Sequence, residues 1–344
     1  MSLRINLALQ GGGAHGAFTW GVLDRLLEEE DLEIAAITGT SAGALNGAAL
    51  KAGLTHGGPE AAKANLDWLW HEVSGMRDLA IPEWMHPWLP DPGMISRSLQ
   101  YSLPYAVGDA VTQMVSPYAW GPFYRNPLER LVARFDFEKV QHEHGPEFHV
   151  CATCVRDGKV RVFTGDRLTP GAIMASACLP TMFQAVEIED PETGAVEAFW
   201  DGGYSGNPAL FPLYRAGLPD DLIIVNINPL YREHVPVTSP EIQNRINEIS
   251  FNSSLLRDLR AIEFVQRLIA TGAVPEGAMR NLRVHMIADD GLMNDLSVAT
   301  KTVPVATVIT QLKDAGRRAA GGFLAQHKGD LGKRQTADLR AMFS

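Results

Sequence analysis

Gly39-Thr40-Ser41-Ala42-Gly43 follows a short apolar run, Ile34 to Ile37, and leads into a stretch rich in small residues that extends to Lys51. The pattern G-x-S-x-G between a strand and a helix can form a nucleophile elbow. A strand turning sharply into a helix forces the serine into a strained backbone region, and glycine on either side prevents clashes. The hydroxyl then stands above the sheet, near a helix N-terminus whose free N–H groups favour developing negative charge. Ala42, Ala44, Gly47 and Ala48 allow that helix to pack close beneath. The pattern alone also fits a glycine-rich strand–helix turn with an incidental serine.

Gly11-Gly12-Gly13-Ala14-His15-Gly16 likewise follows a strand-like run and opens a helix. It fits G-x-G-x-x-G, the fingerprint of a dinucleotide-binding fold. It fits equally an oxyanion-hole loop, whose successive N–H groups point at a developing oxyanion. A nucleotide site needs an Asp or Glu at the end of the second strand to hold ribose hydroxyls. That strand instead ends in Thr38-Gly39-Thr40 and Ser41, and the nearest acids, Asp31 and Glu33, precede it. The dinucleotide reading loses its second half there, whereas an ester-cleaving reading gains one.

A serine hydroxyl needs a proton acceptor. Trp200-Asp201-Gly202-Gly203 ends a β-like run and enters a turn-rich stretch to Pro208, so Asp201 could reach another strand's tip or simply hold turn backbone. His234, His285 and His327 lie downstream, so a Ser…Asp…His triad order is also available.

Taken together, these segments resemble the patatin-like phospholipase family. The residues that carry the likeness are Gly11-Gly12-Gly13-Ala14-His15-Gly16, Gly39-Thr40-Ser41-Ala42-Gly43 and Asp201-Gly202-Gly203, with Ala175-Ser176-Ala177-Cys178-Leu179-Pro180 ahead of the aspartate. The likeness runs from about Leu3 to Asn228. It implies a patatin-like α/β fold, related to the α/β-hydrolases, and a Ser41–Asp201 dyad without a catalytic histidine. By the same resemblance Gly11, Gly12 and Gly13 form the oxyanion hole, while His15, Gly16, Gly39, Gly43, Gly202 and Gly203 complete the motifs. The implied activity is hydrolysis of acyl esters of lipids through an acyl-enzyme, with no metal or organic cofactor. The same intermediate could pass its acyl group to another acceptor, and a non-catalytic lipid-binding protein is a further alternative. One departure stands out: the family places Arg or Lys where this chain has His15, which is only partly protonated near neutral pH.

Positioning these groups requires a βαβα opening. Ile5, Leu7 and Leu9 alternate with Asn6 and Ala8, and Phe18, Val22 and Leu26 recur at helical spacing. Such an order predicts a mostly parallel central sheet with helices on both faces. Val150 to Phe163 reads as a hairpin turning at Asp157-Gly158, and a second hairpin turns around Asp190 to Gly194. Leu222 to Ile227 and Leu282 to Ile287 read as buried strands, and Ile242 to Ile269 as a helix. The expected organisation is a single domain over 1–344, with a lid-like insertion at 75–127 and a helical extension at 296–344, broken at Gly321-Gly322. The insertion is rich in proline, and five of the chain's seven tryptophans fall between Trp68 and Trp120, so Trp84, Met85, Trp88 and Leu89 could cover an acyl pocket or fill a satellite core.

Composition sets the outer bounds. Hydrophobic residues make up 46% and charged residues 20% of 344, the balance of a soluble globular chain. A net charge of -10 disfavours nucleic acid as a partner. Cys151, Cys154 and Cys178 form no disulfide framework, and the CxxC pair lies in a strand where residues three apart face opposite ways. Buried thiols, no visible signal peptide and no long apolar run point to a cytoplasmic protein whose contact with membranes is peripheral.

Overall fold

The computed structural model describes residues 2–75, 89–275 and 277–343. Strand β1 (Leu3–Leu9) sends Ile5, Leu7 and Leu9 into one core and Ala8 into another, as its alternation requires. Helix α1 (Ala17–Leu26) buries Phe18, Val22 and Leu26 on the first of those cores. Strand β2 (Leu32–Gly39) pairs with β1 in parallel, and helix α2 (Ala42–Ser74) follows it. This helix is longer than the small-residue run suggested. It kinks at Gly58 (φ 67°), ahead of Pro59, and then continues because Ala62, Leu66, Leu69 and Trp70 bury a second apolar stripe.

The remaining strands are β3 (Glu147–Cys154), β4 (Val160–Thr164), β5 (Val186–Glu189), β6 (Val196–Asp201), β7 (Asp221–Val225) and β8 (Arg283–Ile287). They build one eight-stranded sheet in the order β5-β6-β3-β2-β1-β7-β8, with β4 also on β3. Pairing is parallel from β3 through β2, β1 and β7 to β8, and antiparallel among β3, β4, β5 and β6. The sheet is therefore mixed, its parallel body carrying the two expected hairpins at one end.

Strand β3 is shared in a way that matters for the site. Strand β4 occupies one edge of β3 from His149 to Thr153, so β2 and β6 must divide the other edge between them. Gly39 of β2 pairs with Val150, and Asp201 of β6 pairs with Ala152, two residues further along. Ser41 lies two residues beyond Gly39. Register alone brings Asp201 to the tip of β2.

Helices cover both faces. On one lie α1, α2, the short helix Pro170–Ser176 and the long helix Ala306–His327; on the other lie Ser239–Ala270 and Leu339–Phe343. The helix Ala306–His327 approaches α1 at two glycines, since a Cβ on Gly21 would sit 1.9 Å from the Lys313 carbonyl oxygen and one on Gly316 2.1 Å from that of Phe18. It runs unbroken through Gly321-Gly322, contrary to the expected break. Each mid-helix glycine costs about 1 kcal/mol relative to alanine, whereas burial of flanking Phe323 and Leu324 returns about 1.5–3 kcal/mol apiece. Packing wins.

Of the proline-rich stretch, α3 (Pro92–Gln100), α4 (Leu103–Met114) and a 3-10 segment (Pro117–Phe123) are described. Trp84, Met85 and Trp88 lie outside the described residues.

The C-terminal tail is tied to the sheet by one buried carboxylate. Asp221 accepts from His285 Nε2 (3.1 Å) and the Gly332 N–H (2.9 Å) on one oxygen, and from Arg283 Nη2 (2.6 Å) on the other. Burial alone would raise its pKa, but these hydrogen bonds outweigh it and hold the carboxyl well below the usual range. Asp221→Ala is expected to cost about 3 kcal/mol, read as a lower urea midpoint at pH 7. Because the folded pKa lies below the unfolded one, the stabilisation is present above about pH 4 and is lost as pH falls below it. The stability gap between wild type and variant is therefore expected to narrow below about pH 4; a gap independent of pH would contradict this assignment.

Candidate active site

Where β2 meets α2, Ser41 adopts φ 54° and ψ -121°, the only positive φ outside glycine among the described residues. Such a conformation costs on the order of 1–3 kcal/mol and persists only where its surroundings over-determine it. They do so here. The Ser41 N–H donates to Ser176 Oγ (2.9 Å), its carbonyl accepts from the Ala44 and Leu45 N–H groups (2.9 and 3.1 Å), and the Gly43 N–H donates to the Thr40 carbonyl (2.8 Å). A Cβ on Gly43 would lie 2.1 Å from the Leu9 carbonyl oxygen, and one on Gly39 would lie 2.6 Å from that of Gly43. The turn can be this tight only with glycine at both places.

Asp201 ends β6 and is fully buried. Its backbone is fixed by N–H donation to the Cys178 carbonyl (2.8 Å), while its own carbonyl accepts from Thr153 Oγ1 (2.8 Å). Oδ1 accepts from the Gly203 N–H at 2.7 Å, whereas Oδ2 has no well-formed hydrogen bond. A side chain on Gly202 would strike the Cys151 carbonyl oxygen at 2.2 Å, and one on Gly203 the Phe251 ring at 2.3 Å. The carboxyl is pushed up to about 7, burial outweighing the opposing pull of the Gly203 N–H and the Ser41 hydroxyl. That pull marks the hydroxyl as a neighbour of the carboxyl, although it makes no regular hydrogen bond to Oδ2.

The glycine loop closes over the same spot. A Cβ on Gly11 would sit 2.7 Å from Ser41 Cβ, and one on Gly16 would sit 2.6 Å from Ala42 Cβ. Of the three expected donors, Gly11 is already engaged, its N–H donating to Asn207 Oδ1 at 2.7 Å. Among the described residues the N–H groups of Gly12 and Gly13 have no such acceptor. Gly13 takes φ +57° and presses on Lys301, whose carbonyl oxygen a Cβ would meet at 2.3 Å. His15 is buried against Thr300, with Nε2 2.9 Å from Oγ1. Burial, aided by the charge of Lys301, lowers its pKa well below the ordinary histidine value. The partial protonation expected of His15 near neutral pH is thus corrected: the ring is neutral there.

A buried amide network behind the loop was not visible in the sequence. Gln10 Oε1 accepts from the Ile227 and Asn228 N–H groups (2.9 and 3.2 Å), and Asn228 Nδ2 donates to the Gly11 carbonyl (2.8 Å). Asn207 follows a turn fastened to β2, where Thr40 Oγ1 donates to the Gly206 carbonyl at 2.7 Å. The available signal was position: Gln10 and Asn226-Ile227-Asn228 lie just past the carboxyl ends of adjacent parallel strands, where sites gather in such sheets.

The downstream histidines are occupied elsewhere or remote. His285 bridges Asp221 and Thr336, His327 pairs with Asp330, and His234 is exposed. None bonds to Ser41 or Asp201 among the described residues. The three cysteines are free and buried, and Cys178 is pushed up to about 12 by burial and by Asp201, which leaves it a poor nucleophile.

Residues 7–214 match the family described as patatin-like phospholipase. No curated protein matches the chain. Among solved structures, VipD from Legionella pneumophila aligns with TM-score 0.43 and 14% identity over 94% of this chain and 67% of its own. The type III effector protein ExoU aligns with TM-score 0.33 and 17% identity over 95% of this chain and 54% of its own. ExoU in its complex with SpcU, from Pseudomonas aeruginosa, gives 0.34 and 15% over 94% and 52%. The chain spans about half the length of ExoU. No described helix is long and apolar enough to cross a membrane.

The raised carboxyl at Asp201 has a consequence for stability. Its folded pKa of about 7 lies above the unfolded value, so the folded state loses stability as pH rises from about 4 to about 7 and stays lower above that. Asp201→Asn removes the titration. It is expected to melt higher than wild type at pH 8, with the advantage shrinking as pH is lowered towards 4. A variant melting below wild type at pH 8 would show that the carboxylate is stabilised by groups other than the Gly203 N–H and the Ser41 hydroxyl.

Proposed function

The chain belongs to the patatin-like phospholipase family, and from that premise we propose that it cleaves carboxylic esters of acyl lipids with Ser41 as nucleophile and Asp201 as its base. The observation that carries the reading is the junction of a strained, buried serine with a carboxyl that, among the described residues, has one oxygen unpaired and no cation beside it. A base with pKa near 7 can both take and return a proton at neutral pH. Ser41 Oγ attacks the ester carbonyl as Asp201 accepts the hydroxyl proton. The Gly12 and Gly13 N–H groups hold the oxyanion, beside the N-terminus of α2. Collapse of the intermediate expels the alcohol, protonated by Asp201, and leaves the acyl group on Ser41. Water, deprotonated by Asp201, attacks the acyl carbonyl, and the acid leaves as Asp201 returns that proton to Ser41 Oγ.

A lipid substrate is supported by α4, which exposes Leu103, Val107, Val111 and Met114 along one side. Apolar residues at spacing four, four and three make a face suited to the interface of a zwitterionic bilayer. Free, buried thiols fit action on the reducing side of a membrane.

The test uses p-nitrophenyl esters of graded chain length and phosphatidylcholine vesicles. Ser41→Ala and Asp201→Asn are each expected to lose at least about 1,000-fold in kcat on every ester, while His234→Ala, His285→Ala and His327→Ala retain activity. Wild-type kcat/KM is expected to rise with pH and level off above about 7, as Asp201 loses its proton. Val111→Glu is expected to slow vesicle hydrolysis and spare a short-chain ester. A folded histidine variant as inactive as Ser41→Ala would overturn the dyad, and a wild type inert on all esters and vesicles would overturn the hydrolase.

A further inference from the structure

The short helix Val298–Thr302 carries a lysine that the dyad does not use. Lys301 Nζ donates to Asn228 Oδ1 at 2.9 Å, and Asn228 Nδ2 donates to the Gly11 carbonyl at 2.8 Å. The Gly11 carbonyl and the Gly12 N–H belong to one planar peptide, with oxygen and hydrogen pointing opposite ways. Fixing the oxygen therefore aims the hydrogen. An amide whose oxygen is hydrogen-bonded also becomes a better donor at its N–H, and the effect passes along a chain of such bonds. Here the chain runs from an ammonium through a side-chain amide to a peptide whose N–H has no acceptor among the described residues.

Resting on the hydrolase reading, we propose that Lys301 is a positioning residue for the reaction: through Asn228 it holds and polarises the Gly11–Gly12 peptide, strengthening the Gly12 N–H as an oxyanion donor.

The charges around Lys301 fit this role. Glu248 attracts the ammonium and Arg232 repels it, but the Glu248 carboxylate is already held by Arg232 (2.6 and 2.8 Å) and Arg245 (3.3 Å). The hydrogen-bond partner of Lys301 is an amide oxygen rather than a carboxylate, so its charge is only partly compensated and acts on the loop. The neighbouring His15 ring is neutral and supplies no charge of its own. Gly13 lies directly on the Lys301 backbone, which ties the loop and the lysine together mechanically. Burial, against the pull of Glu248, brings the ammonium down to about 8. Its charge is therefore present below that pH and lost above it.

The experiment follows kcat and KM for p-nitrophenyl butyrate from pH 6 to 10 in wild type, Lys301→Met and Lys301→Arg. Removing a donor outright typically costs roughly 100-fold or more in kcat, and removing only its polarisation, roughly 10–30% of that bond, is expected to cost about threefold. Lys301→Met should show that loss at pH 7 with KM unchanged. Wild-type kcat should fall by the same factor as pH passes about 8, the limb should be absent from Lys301→Met, and Lys301→Arg should stay active to higher pH. The wild-type limb and its shift in Lys301→Arg decide the matter even if Lys301→Met does not fold. Lys301→Met at wild-type kcat, or an alkaline limb unmoved by Lys301→Arg, overturns the proposal while Ser41-dependent turnover leaves the dyad standing. A wild type without Ser41-dependent turnover overturns both.

Discussion

A carboxyl buried without a cation is the constraint around which the site is arranged. Desolvation of Asp201 raises its proton affinity until it titrates near neutrality, and one hydrogen bond from Gly203 is not enough to reverse this. A salt bridge would have stabilised the carboxylate and held its pKa far below neutrality. Its backbone is accordingly pinned by Cys178 and Thr153, while the side chain keeps one oxygen free. The strain at Ser41 is the second half of the same arrangement, held by Ser176 and by a helix whose Gly43 packs directly on the Leu9 carbonyl.

The sheet explains how two residues 160 positions apart come together. One edge of β3 serves two partners, and the register of each sets Ser41 and Asp201 at neighbouring points. The glycine loop then reaches the same place because β1 lies beside β2 and ends level with it, Leu9 pairing with Gly39. Behind the loop, Asn228, just past the end of β7, donates to the Gly11 carbonyl, and Asn207 accepts from the Gly11 N–H. Among the described residues the N–H groups of Gly12 and Gly13 are left without an acceptor.

Much of this was legible in the chain. Strand alternation in Ile5 to Leu9, helical spacing from Phe18 to Leu26 and the Asp157-Gly158 turn each report local physics, and each element is present. The elbow glycines were readable because a tight strand–helix turn tolerates nothing larger. Long-range polar contacts were not readable. Asn207 and Asn228 look like ordinary turn residues until folding places them on Gly11, and the neutrality of His15 follows from burial beside Lys301, far away in sequence. The continuation of the helix through Gly321-Gly322 likewise depends on Phe323 and Leu324 finding a core, which propensity cannot foresee.

The central claim is that Ser41 becomes acylated with Asp201, and no histidine, as its base. It is tested most directly by intact-protein and peptide mass spectrometry after brief exposure to a fluorophosphonate carrying an alkyl chain, which mimics the ester and stops at the covalent stage. One adduct per chain is expected, on the peptide holding Ser41, absent from Ser41→Ala and formed far more slowly in Asp201→Asn than in any of the His234, His285 or His327 alanine variants. An adduct on another residue, or labelling of Asp201→Asn at the wild-type rate, would contradict it.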